Sequence, residues 1–264
     1  MKKETYSIHS INKLSADIID MWVKADDIAK NTVPGQFVSI YCDDKSTLLP
    51  RPISICDTDS ENGLLRLVFR IAGKGTKEFS EKKAGDTLDI IGPLGNGYTS
   101  SFESIKAMDN PSVTVMGGGI GIPPMLKTAK ALNSAGINVN IVLGYRDFLF
   151  LNDEFSKYGN VYLSTEDGSF GTKGNVIDCI RENDIKSDAI LACGPLPMLR
   201  GIKSYAADNN IKTWISLEEK MACGIGACLA CVCKSTDIDS HSMVKNKRIC
   251  KDGPVFDAME VDFS

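Results

Sequence analysis

The hydrophobic pattern of the chain changes near Asn110–Pro111, and the two sides of that point belong to different fold classes. Before it, apolar β-rich runs recur at residues 36–42, 53–56, 64–71 and 87–91. Turn-forming segments divide them: Val-Pro-Gly at 33–35, a polar stretch ending in Asn62-Gly63, Ala-Gly-Lys-Gly at 72–75 and Gly-Pro-Leu-Gly-Asn-Gly at 92–97. Short strands at this spacing, with room for one short helix at 76–82, predict a small antiparallel barrel or sandwich. After Pro111, strand-like segments at 113–116, 138–143, 161–164, 189–192 and 212–216 alternate with helix-like segments at 124–135, 153–158, 176–182 and 196–207. That alternation implies a parallel sheet covered by helices on both faces. Gly136 is placed to close the first of these helices in a left-handed conformation.

A third unit begins near Glu218, too short to hold a core without a staple. The expected division is therefore 1–108, 109–216 and 217–264. Five of the nine cysteines fall in the last unit, at 223, 228, 231, 233 and 250. Nothing at the N-terminus resembles a secretory apolar region, so disulfides are not expected and a cytoplasmic setting is. The best candidate for a membrane span, residues 113–126, is interrupted by four glycines and two prolines. A net charge of −4 argues against a nucleic-acid or membrane-surface binder, which needs a basic field.

Cys223, Cys228 and Cys231 form C-x4-C-x2-C, with Cys250 farther on. This is the spacing of plant-type [2Fe–2S] ligation. Gly224 and Gly226 permit the tight turns of a loop that wraps an inorganic cluster, and Ala227 leaves room. A structural zinc site is the alternative, although such sites usually pair two short knuckles. Cys233 is the rival fourth ligand; Cys250 is favoured, because Cys233 would strain a cluster already held by Cys231. Cys42, Cys56, Cys179 and Cys193 sit in apolar segments and read as inert core thiols.

Three further motifs have the chemistry of nucleotide sites. Arg51 in Arg51-Pro52-Ile53-Ser54 can grip a pyrophosphate bidentately, and Ser54 can hydrogen-bond a phosphate or a flavin, although a solvated turn has the same composition. Gly73-Lys74-Gly75-Thr76 can turn backbone N–H groups toward an anion, or simply form a hairpin turn. Gly117-Gly118-Gly119-Ile120-Gly121-Ile122-Pro123-Pro124 follows a strand and opens a helix; it departs from G-x-G-x-x-G yet lets a nucleotide approach the backbone at Gly118, Gly119 and Gly121. Cys193-Gly194-Pro195 is a second such turn, at the carboxyl end of a parallel strand where ligands bind in open α/β sheets. The only histidines are His9 and His241, and no acid–base site for a carbon acid is visible.

In this order the motifs resemble the ferredoxin–NADP reductase superfamily over residues 5–215. The tail, Met221–Cys233 followed by Arg248-Ile-Cys-Lys-Asp-Gly-Pro-Val-Phe256, resembles the electron-transfer subunits of type 1B dihydroorotate dehydrogenase, and that likeness runs nearly end to end. The resemblance implies an N-terminal antiparallel FAD-binding barrel, a nicotinamide-binding α/β domain and a C-terminal [2Fe–2S] segment. FAD would be held by Arg51, Pro52, Ile53 and Ser54 with Val68, Phe69, Arg70, Gly75 and Thr76, and the cluster by Cys223, Cys228, Cys231 and Cys250. It implies a catalytic partner, a TIM barrel carrying FMN, in a dimer of heterodimers that serves pyrimidine biosynthesis. Electrons from dihydroorotate would pass from FMN singly through the cluster to FAD and leave as hydride to NAD⁺. Ile53 departs from the wider superfamily, which often places an aromatic there, and a C-terminal aromatic lid is not implied. Arg146 could accept a 2′-phosphate, whereas Asp147 and the family point to NAD. The rivals are the flavin subunit of a hydrogenase or ferredoxin-linked transhydrogenase, which shares these cofactors, and a zinc-stapled binding module.

Overall fold

The computed structural model describes residues 2–239 and 243–264. Six antiparallel strands close a barrel: β1 (Glu4–Lys13), β2 (Ile18–Lys24), β3 (Phe37–Tyr41), β4 (Arg51–Asp59), β5 (Leu64–Arg70) and β6 (Thr87–Leu94), in the order β1-β2-β5-β4-β3-β6. Helices α1 (Asp26–Asn31) and α2 (Lys74–Ser80) lie between strands, and α3 (Thr99–Lys106) follows the barrel. Strand alternation fills the interior with Val38 and Ile40 of β3, Leu65, Leu67 and Phe69 of β5, and Ile19 and Met21 of β2. The sequence reading named neither β1 nor β2: only Ile8 of the ten residues of β1 is buried and a mostly solvated strand has no apolar signature, whereas β2 went unread although most of it is buried.

The second half is a parallel sheet with one antiparallel edge. Its strands β7 (Ser112–Gly118), β8 (Asn138–Tyr145), β9 (Asn160–Thr165), β10 (Thr172–Lys173), β11 (Ala189–Cys193) and β12 (Lys212–Ser216) alternate with α4 (Ile122–Ser134), α5 (Asn152–Phe155), α6 (Val176–Glu182) and α7 (Leu196–Asn209). Gly136 follows α4 with φ of +75°, the left-handed turn expected of it. The tail forms a hairpin of β13 (Val232–Lys234) and β14 (Asn246–Arg248), then β15 (Val255–Asp257). β15 pairs antiparallel with β12 and extends the sheet to the order β10-β9-β8-β7-β11-β12-β15. The cysteine-bearing tail is thus fastened to the α/β sheet by backbone hydrogen bonds.

The tail also touches the barrel. The loop after β6 meets it where Asn96 N–H donates to the Gly253 carbonyl at 2.6 Å and Asn96 Nδ2 donates to that of Lys251 at 3.1 Å. Several polar links join barrel and α/β domain, among them Lys130 of α4 to Asp57 of β4 at 3.1 Å. Arg66 of β5 is buried, holds Asp20 of β2 at 2.8 Å and reaches Glu154 of α5 at 2.6 Å. Burial works against its charge, and the two carboxylates more than restore it. Tyr98, fully buried, donates to the Ala192 carbonyl at the end of β11 at 3.1 Å. These contacts fix the carboxyl ends of the parallel strands against the barrel. No described helix is long and apolar enough to cross a membrane.

Candidate functional site

The loop from Cys223 to Cys231 carries no regular secondary structure, and its turns depend on glycine: φ is +69° at Gly224 and +84° at Gly226. It folds so that the thiols come as two pairs. Cys223 and Cys228 lie 3.3 Å apart, sulfur to sulfur, and are half-buried. Cys231 and Cys250 are buried together, with the Cys250 N–H donating to Cys231 Sγ at 3.5 Å. Backbone N–H groups also point at the other sulfurs: Ile225 at Cys223 Sγ (3.5 Å) and Gly226 at Cys250 Sγ (3.2 Å).

Burial opposes ionisation of Cys223, but the N–H of Ile225, the Cys228 thiol and the N–H groups of Cys228 and Ala227 outweigh it and bring its pKa down to about 6. Cys250 goes the other way, up to about 12, through burial and then the neighbouring Cys231 sulfur. Cys233 stands apart on β13, its thiol facing the Lys247 carbonyl at 3.6 Å and pushed up to about 11 by burial. Among the described residues no three His, Cys, Asp or Glu side chains gather tightly enough to hold one ion. Two thiol pairs ringed by N–H donors fit a two-iron cluster, where each iron takes two thiolates, better than a single zinc in a four-thiolate cage.

The barrel motif converges on one surface. Arg51 packs over the Gly75 backbone, where an added Cβ would lie 2.7 Å from its Nε, so the Arg51–Ser54 and Gly75–Thr76 segments meet. The Leu49 carbonyl accepts from Arg51 Nη1 at 3.0 Å, and among the described residues no carboxylate pairs with it. Thr76 Oγ1 accepts from Ala72 N–H (2.9 Å) and Gly73 N–H (3.1 Å), which orders the turn but occupies those two donors. A guanidinium held only by backbone carbonyls, beside first-turn amides, suits a phosphate. Pro52 and Ser54 face outward, whereas the Ile53 side chain joins the barrel core and offers only its backbone to a ligand. Phe69 is likewise internal, edge-on to Phe79 at 6.3 Å, and Val68 packs against the α/β core. Of the 68–70 segment only Arg70 is exposed, paired with Asp17 at 3.2 Å.

Arg70 and Asp17 form one wall of a cleft of about 540 Å³ at the carboxyl ends of β7, β8 and β9. Gly118, Gly119 and Pro195 line it too, so the two expected turns do come together. The glycines serve different ends. A Cβ on Gly121 would lie 2.5 Å from the Cys193 carbonyl oxygen, one on Gly118 would lie 2.3 Å from Met198 Sδ, and one on Gly194 would lie 2.5 Å from Met198 Cε. Close backbone approach of the two turns requires Gly121, whereas at Gly118 and Gly194 the new methyl would meet the flexible end of the Met198 side chain. Gly119 differs: its φ is +53° and the space beyond it is open.

Tyr145, Glu166, Asn175 and Met198 also line the cleft and were missed by motif reading. The available signal was their place at the carboxyl ends of the parallel strands (Tyr145, Glu166) or at the amino ends of α6 and α7 (Asn175, Met198). Arg146 and Asp147 both border it, largely exposed and 3.9 Å apart. His9 is exposed on β1, remote in sequence from these motifs, and His241 lies outside the described residues.

Residues 5–98 match the oxidoreductase FAD-binding domain family, and residues 218–262 match the family described as the iron-sulfur cluster binding domain of dihydroorotate dehydrogenase B. The dihydroorotate dehydrogenase B (NAD(+)) electron transfer subunit of Fusobacterium nucleatum is 39% identical over 269 residues, covering 99% of each chain. Its counterpart in Bacillus pumilus is 39% identical over 267 residues, covering 100% of each. The chain belongs to this family of electron transfer subunits.

Among solved structures, that of an NADH-dependent reduced ferredoxin-NADP oxidoreductase is 34% identical and superimposes with a TM-score of 0.84, covering 98% of this chain and 90% of that one. A Malassezia yamatoensis flavohemoglobin, 22% identical with a TM-score of 0.66 over 80% of this chain and 58% of that one, shares the fold alone. Barrel, parallel sheet and cysteine-bearing tail are therefore the architecture of an electron transfer subunit, as the resemblance implied.

Proposed function

We propose that this chain carries FAD and a [2Fe–2S] cluster and links a catalytic dihydroorotate dehydrogenase subunit bearing FMN to NAD⁺, in a dimer of heterodimers. When bound, the cluster supplies one-electron transfer, the flavin converts between single electrons and hydride, and the nicotinamide exchanges hydride. The observation that carries the reading is the meeting of the cysteine loop with β3, the strand paired with the Arg51–Ser54 segment: a Cβ on Gly224 would lie 2.7 Å from Ser39 Oγ.

Each residue then has a role. Cys223, Cys228, Cys231 and Cys250 ligate the cluster, and the N–H groups of Ile225 and Gly226 steady its sulfurs. Arg51 binds the FAD pyrophosphate, with Ser54, the backbone at Pro52 and Ile53, and the Gly75–Thr76 turn beside it; Arg70 stands where the flavin and nicotinamide clefts join. Gly119 lets the dinucleotide approach the backbone, while Gly118, Gly121, Cys193, Gly194 and Pro195 shape the cleft floor. Asp147 and Glu166 place negative charge where a ribose 2′-hydroxyl would be accepted and a 2′-phosphate repelled, which favours NAD.

Ile225 is 45% exposed and Leu229 is 61% exposed on the cysteine loop, an apolar rim suited to docking the catalytic partner. A thiolate-ligated cluster suits a reducing cytoplasm, where thiols are kept from pairing.

Anaerobically purified protein should hold about two irons and two sulfides per chain, together with FAD, and should co-purify with the FMN subunit. One stoichiometric zinc without iron would contradict the reading. The likeness to the ferredoxin-NADP oxidoreductase structure supports a second one, a transhydrogenase flavin subunit. Isolation of the chain with a ferredoxin-linked partner in place of the FMN subunit would favour it.

A further inference from the structure

Strand alternation in β3 sends Val38 and Ile40 into the barrel and turns Phe37 and Ser39 outward. Phe37 packs into the apolar cluster that contains Cys231 and Cys250. Ser39 faces the cysteine loop at Gly224, where an added Cβ would lie 2.7 Å from Ser39 Oγ. Ser39 is 2% exposed, and its hydroxyl has no hydrogen-bond partner among the described residues. Buried hydroxyls in native proteins are almost always satisfied. Its cross-strand neighbours, Pro52 on β4 and Ile91 on β6, bring no polar side chain. Gly224 brings none either, and the next residue back along the loop is Cys223. An alanine would fill this position without leaving a polar atom unpaired, so the hydroxyl points to an acceptor held by the loop.

We propose that Ser39 donates a hydrogen bond to a sulfur of the [2Fe–2S] cluster carried by the Cys223 loop and thereby raises the cluster's reduction potential. The inference rests on the cluster reading above. Reduction adds negative charge to the sulfurs, and a hydrogen-bond donor stabilises that charge more than it stabilises the oxidised state. Ser39 belongs to the barrel, one strand from Arg51–Ser54. Cluster tuning would thus be shared between the tail that ligates the cluster and the domain that holds the flavin.

The test is a redox titration of the complete FAD- and cluster-loaded chain, read from the electron paramagnetic resonance signal of the reduced cluster. Ser39→Ala should raise the oxidised-to-reduced ratio at fixed ambient potential about tenfold, which is about 59 mV to the negative for a one-electron couple. After exchange into D₂O, the wild-type cluster should show a deuterium hyperfine coupling that Ser39→Ala lacks. Ser164→Ala removes the other buried hydroxyl that has no partner among the described residues, on β9, and should leave the cluster potential unchanged. An unshifted cluster potential in Ser39→Ala, or a shift in the flavin potential alone, would overturn the inference while leaving the functional reading intact. A wild-type chain with FAD but no iron would overturn both.

Discussion

The cysteine loop and the nicotinamide cleft both depend on glycine, but they encode their chemistry differently. In the loop, sequence spacing carries over directly into geometry. Gly224 and Gly226 take left-handed turns, and Cys223 and Cys228, separated by four residues, come to 3.3 Å. In the cleft, most of the glycine motif is used to pack one turn on another, and only Gly119 has both a positive φ and open space. The ligand-facing surface there comes from scattered positions such as Asp17, Arg70, Glu166 and Met198, gathered by the sheet topology. A short loop can be read as chemistry because its residues are neighbours in sequence, whereas a cleft between domains is read only after the fold is known.

Substitutions at five positions test that contrast. The largest effect belongs to the loop. Cys250→Ser should remove most of the cluster absorbance and iron, because Cys250 lies against Cys231. Cys233→Ser should leave both near the wild-type level, since that thiol faces the Lys247 carbonyl. The reverse ranking in iron analysis would show that spacing misled even there.

Arg51→Ala comes next. Losing one charged hydrogen bond costs about 1.5–3 kcal/mol, or roughly ten- to a hundredfold in FAD affinity. Arg51→Lys should recover only part of this because the planar fork is gone. Flavin retention under dilution measures both variants, and unchanged retention in Arg51→Ala would remove the residue from the site.

The smallest effects separate the cleft glycines. In Gly121→Ala the new methyl meets the Cys193 carbonyl, so thermal unfolding should show about 1–3 kcal/mol of destabilisation. Gly119→Ala should cost about 1 kcal/mol through its positive φ and raise the KM for NADH about three- to tenfold. Equal effects of the two variants on KM would erase the distinction between packing and binding glycines.

The alternating apolar segments after Pro111 were legible because buried parallel strands and their covering helices leave strong periodic signals. All five expected strands are present there. In and around the barrel, β1 was hidden by its polar composition, β2 went unread although largely buried, and α1 and α3 are too short to impose a pattern. β15 was hidden for another reason: three residues of tail become a strand only because β12 presents a free edge. The Arg51 motif was legible in composition, but its contact with Gly75 was not, since the two are joined by barrel closure. Ile53 and Phe69 show the same limit, as strand alternation turns both into the core.

The central claim is that electrons cross this chain between its partner and NAD⁺ by way of the cysteine loop, and one paired assay tests it. The chain is combined with the FMN-containing catalytic subunit, and dihydroorotate-dependent NAD⁺ reduction is compared with NADH oxidation by an artificial acceptor, in wild type and in Cys250→Ser. The expected result is loss of nearly all the coupled rate in Cys250→Ser with most NADH oxidation retained, and no dihydroorotate oxidation by the chain alone. Full coupling in a complex shown to lack the cluster, or dihydroorotate oxidation by the isolated chain, would contradict it.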